Sequence, residues 1–391
     1  MGRWRVGRSG EVRAAVLSVP AFVGASMTQF AGSLNLLPRT VEQVTTAKVL
    51  VFGVLIGVGA LVSMTTGVLV GHRSDRTGDR RPWIVGGTVL LTAGLTALPH
   101  QGTVGGVVGA WVIAQLGWGT MHAGVSALVP DHVPPDRLGT VSAYTGLAQF
   151  VGAAAGTGLA ALPGTPLPVD AATVALAATA LILPAATVGR AGGRRAPGPP
   201  PAGSRYGDFW WAWLTRFTAA LSNSLTMTYL LYYLTDVVRH PNPTGGQFVL
   251  VLTAGLAVVL VAPLTGHLSD RWRRRKRFVI AAMAAMAAGE LILAALPWWG
   301  ATVVAATVFG LGYGTYLAVD QALVIEVLPD RARLARDLGL LNVAGAAPGV
   351  VGPPLAAALL AGGLGYAGVY VAAALVTAAG IAAVPPIRRV R

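Results

Sequence analysis

Three ionisable side chains stand inside long apolar runs: Arg216 in the run 209–237, Glu290 in 278–297 and Asp320 in 300–328. A charge in hydrocarbon costs several kcal/mol, so such residues are functional candidates. Arg216 and Asp320 each lie about eight residues from the same end of the bilayer. At a rise of about 1.5 Å per residue, that places both roughly 12 Å deep. Equal depth allows an ion pair, and protonation of Asp320 would release it. The pair is therefore a coupling switch for a proton or a permanent brace. Glu290 is a lone carboxylate in mid-run, either a proton site or a group packed against a neighbour. These three form the candidate ion-coupling set.

Other polar residues in apolar runs suit a neutral, hydroxyl-rich solute: His122, Gln115, Trp118, Asn223, Tyr229, Gln321 and Asn342. Amides pair with hydroxyls and aromatic rings cover sugar faces, although the same groups also serve as hydrogen bonds between helices. The chain has no cysteine, which excludes disulfides, thiolate metal sites and cysteine catalysis. No His/Glu metal pair and no nucleophile–base set is present, so neither a metal, a cofactor nor an enzymatic activity is expected.

A third group of residues is charged and lies between runs. Gly71-His72-x-Ser74-Asp75-Arg76 recurs as Gly266-His267-x-Ser269-Asp270-Arg271, an offset of 195 residues (71 to 266). At that offset Leu116-Gly117-x-Gly119-Thr120 recurs as Leu311-Gly312-x-Gly314-Thr315, and Asp131 is matched by Glu326. Charged-loop and helix matches at one spacing mark an internal duplication.

The elements that must carry these residues follow from composition. Of 391 residues 54% are hydrophobic and 11% charged, and mean hydropathy is +0.63. A soluble domain carries about a quarter charged residues. Each bilayer span needs roughly 20 apolar residues. Twelve apolar runs are present, continuous and without period-two alternation, so they are helices and not barrel strands. They group as an N-terminal half (1–189), a Pro/Gly/Arg-rich linker (190–208) and a C-terminal half (209–391). With both termini inside, nearly all of the 29 basic residues fall on the cytoplasmic side, and only Arg39, Lys48 and Arg239 fall outside. That distribution follows the positive-inside rule. It accounts for the net charge of +14 without a nucleic-acid partner.

The loop after span 2, with Gly71, Asp75, Arg76, Gly78, Arg80 and Arg81, resembles the signature loop of the major facilitator superfamily, G-x-x-x-D-R-x-G-R-R. Asp79 stands where a basic residue is usual. The resemblance implies an all-α membrane protein of twelve transmembrane helices in two pseudo-symmetric six-helix bundles. It implies a gating motif in which Gly71 lets helices approach closely, Asp75 faces the start of span 11 and Arg76 pairs with Asp131. The second copy is Gly266, Asp270, Arg271 and Glu326. SDRTGDRRPWI and ALVPDHVPPDRLGTVSAY are similar to the glycoside–pentoside–hexuronide cation symporters and their sucrose-transporter-like relatives. That branch implies a sugar-like solute moved with an ion. Span 2 lacks the acidic pair of the sodium-linked members, which favours a proton. The expectation is a proton-coupled symporter that acts as a monomer in a bacterial cell membrane, its partners being a small solute, a proton and the bilayer. The alternative is a proton antiporter exporting drugs or metabolites. For this, span 5 carries a partial signature, Gly152-x-x-x-Gly156-Thr-Gly158.

Overall fold

A computed structural model describes residues 8–133, 135–188, 206–272, 274–327 and 334–387. All regular structure among them is helical. Backbone N–H and C=O groups find no partner in hydrocarbon, so a spanning chain must bond internally.

The α-helices in chain order are α1 (Arg8–Ala31), α2 (Leu37–Val44), α3 (Lys48–Thr77), α4 (Arg81–Ala97), α5 (Val104–His132), α6 (Pro135–Leu159) and α7 (Leu167–Ile182). They continue as α8 (Tyr206–Thr228), α9 (Leu230–Asp236), α10 (Pro243–Trp272), α11 (Arg275–Ala295), α12 (Trp299–Val327), α13 (Leu334–Ala361) and α14 (Gly365–Ala383). A π-helical segment, Gly32–Leu36, joins α1 to α2, and a single non-helical residue, Tyr229, separates α8 from α9. Each pair is one broken span, so the fourteen helices make twelve spans. Nine helices among the described residues are long and apolar enough by composition to cross a membrane.

The chain divides into two compact units at Ala196/Pro197. In the first, α4 and α3 pack on α5, while α6 and α7 pack on α1. In the second, α11 and α10 pack on α12, while α13 and α14 pack on α8. These are the same pairings one repeat later. The register is also kept, since α3 and α10 begin at 48 and 243, and α5 and α12 at 104 and 299.

Glycines set the tightest contacts. A Cβ on Gly117 would lie 2.2 Å from the Leu91 backbone nitrogen, and one on Gly312 would lie 2.7 Å from that of Met286. Leu91 and Met286 are themselves one repeat apart. Backbones approach this closely only where a residue has no side chain. Gly78 has a different task. It caps α3 in the left-handed region (φ 66°), with its N–H donating to the Ser74 carbonyl, a conformation that glycine adopts without steric cost.

Candidate functional site

The three candidate ion-coupling residues of the second unit, Arg216, Glu290 and Asp320, fall into two separate clusters. In the first, α8 presents Arg216 to Asp320 on α12, with Arg216 Nη2 3.2 Å from Asp320 Oδ2. The Asp320 side chain is 4% exposed and that of Arg216 19%. Tyr316, one turn before Asp320 on the same helix, donates its hydroxyl to Asp320 Oδ1 at 2.8 Å. Both carboxylate oxygens are thus engaged, one by a cation and one by a phenol. Helical spacing i, i+4 brings Tyr316 and Asp320 to one face. Such a pair is stable while both charges are present, and losing either leaves the other uncompensated at substantial cost. Protonating Asp320 therefore acts on Arg216 directly.

The second cluster surrounds Glu290, which is fully buried. Ser222 and Thr226, both on α8, donate to its Oε1, Thr226 from 3.1 Å. Thr377 on α14 lies 3.1 Å from Oε2 and also 3.0 Å from the Ala373 carbonyl. Glu290 could be singled out in the sequence as a carboxylate in an apolar run. Its hydroxyl partners could not, because they come from helices far away in the chain.

In the first unit, Gln115, Trp118 and His122 share one face of α5. Trp118 and His122 are stacked, with ring centroids 4.4 Å apart, and Phe22 of α1 meets the His122 ring edge-on at 5.9 Å. Trp118 Nε1 donates to the Ala25 carbonyl at 3.2 Å, and Ser126 Oγ lies 3.3 Å from His122 Nδ1. Gln115 Oε1 is buried without a partner, as are Gln29 Oε1 and both polar atoms of the Asn35 side chain. In the second unit Tyr229 is buried and its hydroxyl donates to the Pro353 carbonyl at 3.4 Å, while Asn223 is half-buried. The side chains of Gln321 and Asn342 lie outside the described residues.

The motif loop departs from the expected pairing. Asp131 is held by Arg80, not by Arg76: Arg80 Nε lies 3.0 Å from Asp131 Oδ2, and Arg80 Nη2 2.7 Å from Asp75 Oδ1. Arg80 Nη1 also donates to Ser74 Oγ at 2.8 Å. Arg76 is exposed. The physical reason is the left-handed Gly78 cap, which ends α3 and lets the chain turn back so that Arg80 lies beneath it. Burial works against the Arg80 charge, but Asp131 and Asp75 outweigh it and hold the pKa above the usual arginine value. Asp79 accepts from the Arg81 N–H at 3.0 Å, bonding a free donor at the start of α4, which explains an acid at this motif position. Arg81 itself reaches the Thr187 carbonyl at 3.2 Å.

The close approach expected of Gly71 is not made among the described residues. A Cβ there would meet nothing within 4 Å, and one on Gly266 would make only ordinary contact with Ala318 at 3.7 Å. The tight contacts lie deeper, at Gly117 and Gly312. In the second loop Arg271 is exposed, and the side chains of Asp270 and Glu326 lie outside the described residues. One ion pair had no sequence signal. Arg39 of α2 meets Asp170 of α7 at 2.7 Å, with the Asp170 side chain 1% exposed, and Thr165 donates to the other oxygen of Asp170.

The sequence model of the Major Facilitator Superfamily matches residues 3–157 and 212–390. Several solved transporter structures share the fold at low sequence identity. The peptide transporter POT in complex with sulfate aligns at 15% identity and a TM-score of 0.74, covering 96% of this chain and 95% of the other. A bacterial homologue of the human lysosomal transporter Spinster, inward-facing and unoccupied, aligns at 12% identity and 0.70, covering 97% and 95%. The human organic anion transporter MFSD10 (TETRAN) aligns at 15% identity and 0.68, covering 96% and 99%. No curated protein matches by sequence.

Proposed function

The chain belongs to the Major Facilitator Superfamily, and from that premise we propose that it is a proton-coupled symporter of a small, neutral, sugar-like solute. The observation that carries the proton is the buried Arg216–Asp320 pair with Tyr316 on its second oxygen. The pair has no counterpart in the first unit, where Ala21 and Val125 occupy the equivalent positions. An ion-handling group confined to one half gives the duplicated fold a single switch. When Asp320 binds a proton, Arg216 loses its counter-ion and must find a new partner, so the two protonation states favour different helix arrangements.

The solute class rests on the buried amides Gln29, Asn35 and Gln115 and on the Trp118–His122 stack. These groups offer hydrogen bonds and ring faces and no fixed charge. From the second unit, Asn223, Tyr229, Gln321 and Asn342 are assigned as further solute ligands. The motif loops are assigned a gating role, with Arg80 as the hub of the first. The protein acts as a monomer in the cytoplasmic membrane of a bacterium, both termini inside.

Export of a drug or metabolite by proton antiport is the second reading. It is favoured by Gly152 and Gly156, which seat α6 against α1 so closely that a Cβ on either would lie 2.3 Å and 2.2 Å from the Val23 and Met27 carbonyl oxygens. Proteoliposomes of known orientation separate the two. An inward proton gradient should drive accumulation of a labelled disaccharide. Proton-driven movement of a cationic dye, with no movement of disaccharide, would replace the first reading by the second.

A further inference from the structure

We propose that Glu290 is a second proton-binding site, and that Thr377 is the hydroxyl rotor that lets it take up and release a proton without moving heavy atoms. The inference rests on the proton-coupled reading above for its role in transport, and on its own geometry for the site.

The hydrogen-bond inventory closes in both protonation states. With Glu290 ionised, Ser222 and Thr226 donate to Oε1 and Thr377 donates to Oε2. With Glu290 neutral, the proton sits on Oε2 and is donated to Thr377 Oγ1. Thr377 then turns its own proton to the Ala373 carbonyl, which already lies 3.0 Å away. Ser222 and Thr226 keep donating to Oε1. A threonine hydroxyl has one donor and two acceptor lone pairs and rotates freely between them. Only that rotation separates the two states.

The fold does not require this cluster. In the first unit the positions equivalent to Ser222, Thr226 and Glu290 are Met27, Ala31 and Leu95, all buried hydrophobic residues. The same helix pairings thus form in the first unit without a carboxylate at the Glu290 position. A buried carboxylate costs more than the leucine its counterpart uses, so its presence points to a task other than packing.

Among the described residues, no charged group compensates it. Ser222, Thr226 and Thr377 are the side chains that act on Glu290. Arg216 on α8 and Tyr316 on α12 are directed to Asp320. Tyr313 of α12 stacks near Phe309. On α14, Tyr366 donates to Asp236 and Tyr370 meets the Tyr233 ring. His267 of α10 is exposed, and Arg275, Lys276 and Arg277 stand at the far end of α11. Glu290 therefore answers to protons through its hydroxyls, separately from the Arg216–Asp320 pair.

Infrared difference spectroscopy of the full chain in lipid, cycled between about pH 5 and about pH 9, tests this without a known solute. The expected result is a protonated-carboxyl C=O band that titrates, is lost in Glu290→Gln and is kept in Asp320→Asn. Thr377→Val should move its frequency and midpoint, and Thr377→Ser should restore both. The Thr377 pair carries the test if Glu290→Gln fails to fold. A spectrum with no titrating band sensitive to Glu290→Gln, or a band indifferent to Thr377→Val, overturns the proposal. If the Glu290 band titrates but an imposed proton gradient drives no solute, the transport reading fails and the site stands. If Asp320 carries the only titrating band and transport is proton-driven, the reverse holds.

Discussion

Replacing Arg80 by Gln should loosen the motif loop, and replacing Arg76 should not. Arg80 is buried, with a side chain 6% exposed, and it engages Ser74, Asp75 and Asp131. A hydrogen bond to a charged group is worth about 1.5–3 kcal/mol. The Asp75 side chain is 55% exposed and rehydrates when released, so its share is small. The main loss comes from Asp131, 20% exposed, and from the fully buried Ser74 hydroxyl. Together they amount to about 2 kcal/mol. For a unit of this size, about 2–4 °C of melting temperature accompanies each kcal/mol, so Arg80→Gln should lower Tm by roughly 4–8 °C. Arg76→Gln, at an exposed position, should stay within about 0.5 kcal/mol. The sign of the pH dependence follows from the raised Arg80 pKa. A cation with a raised folded-state value contributes fully below its unfolded value, and the contribution fades only as pH rises through the folded one. Both lie far above the working range, so the Arg80 charge is present throughout it. The assay is tryptophan-fluorescence melting of the detergent-solubilised chain. Equal loss from the two substitutions, or loss from Arg76→Gln alone, would refute the assignment of Arg80 as the hub.

Two further substitutions test the packing. Gly117→Ala should destabilise by about 1–3 kcal/mol through overpacking against the Leu91 backbone, whereas Gly71→Ala should be neutral or stabilise by up to about 1 kcal/mol, since a Cβ there meets open space. Paired melting curves of the two variants decide this. Arg39→Met should cost about 3 kcal/mol because it strands the buried Asp170 carboxylate, and a companion Asp170→Leu should recover much of that loss. A double variant no more stable than Arg39→Met would show that the ion pair is not what is being measured.

Much of the fold is legible in the sequence, because a bilayer imposes a length on every apolar run and the duplication repeats at one offset. The breaks in the first span of each half are not legible. The π segment at Gly32–Leu36 and the interruption at Tyr229 fall at matching places in the repeat; Pro38 follows the first closely, but its counterpart after the second is Tyr233, so the two breaks share no sequence mark. Arg216 and Asp320 could be matched by depth because helical rise converts residue count into distance. Arg80 could not be preferred over Arg76, since the choice depends on which way the chain leaves the Gly78 cap. Asp170 lies near the start of an apolar run, where a carboxylate reads as a solvated flank, and its partner Arg39 is remote in the chain. The cluster around Glu290 is built from hydroxyls, which apolar runs contain everywhere, so only the assembled helices distinguish Ser222, Thr226 and Thr377 from their neighbours.

The central claim is that solute movement is tied to a proton through Asp320. The direct measurement is uptake of labelled disaccharide into proteoliposomes, with and without an imposed inward proton gradient, for the native chain and for Asp320→Asn. The native chain should accumulate the label only with the gradient. The variant should exchange label across the membrane at either pH and accumulate none. Gradient-driven accumulation by Asp320→Asn at the native level would contradict the account.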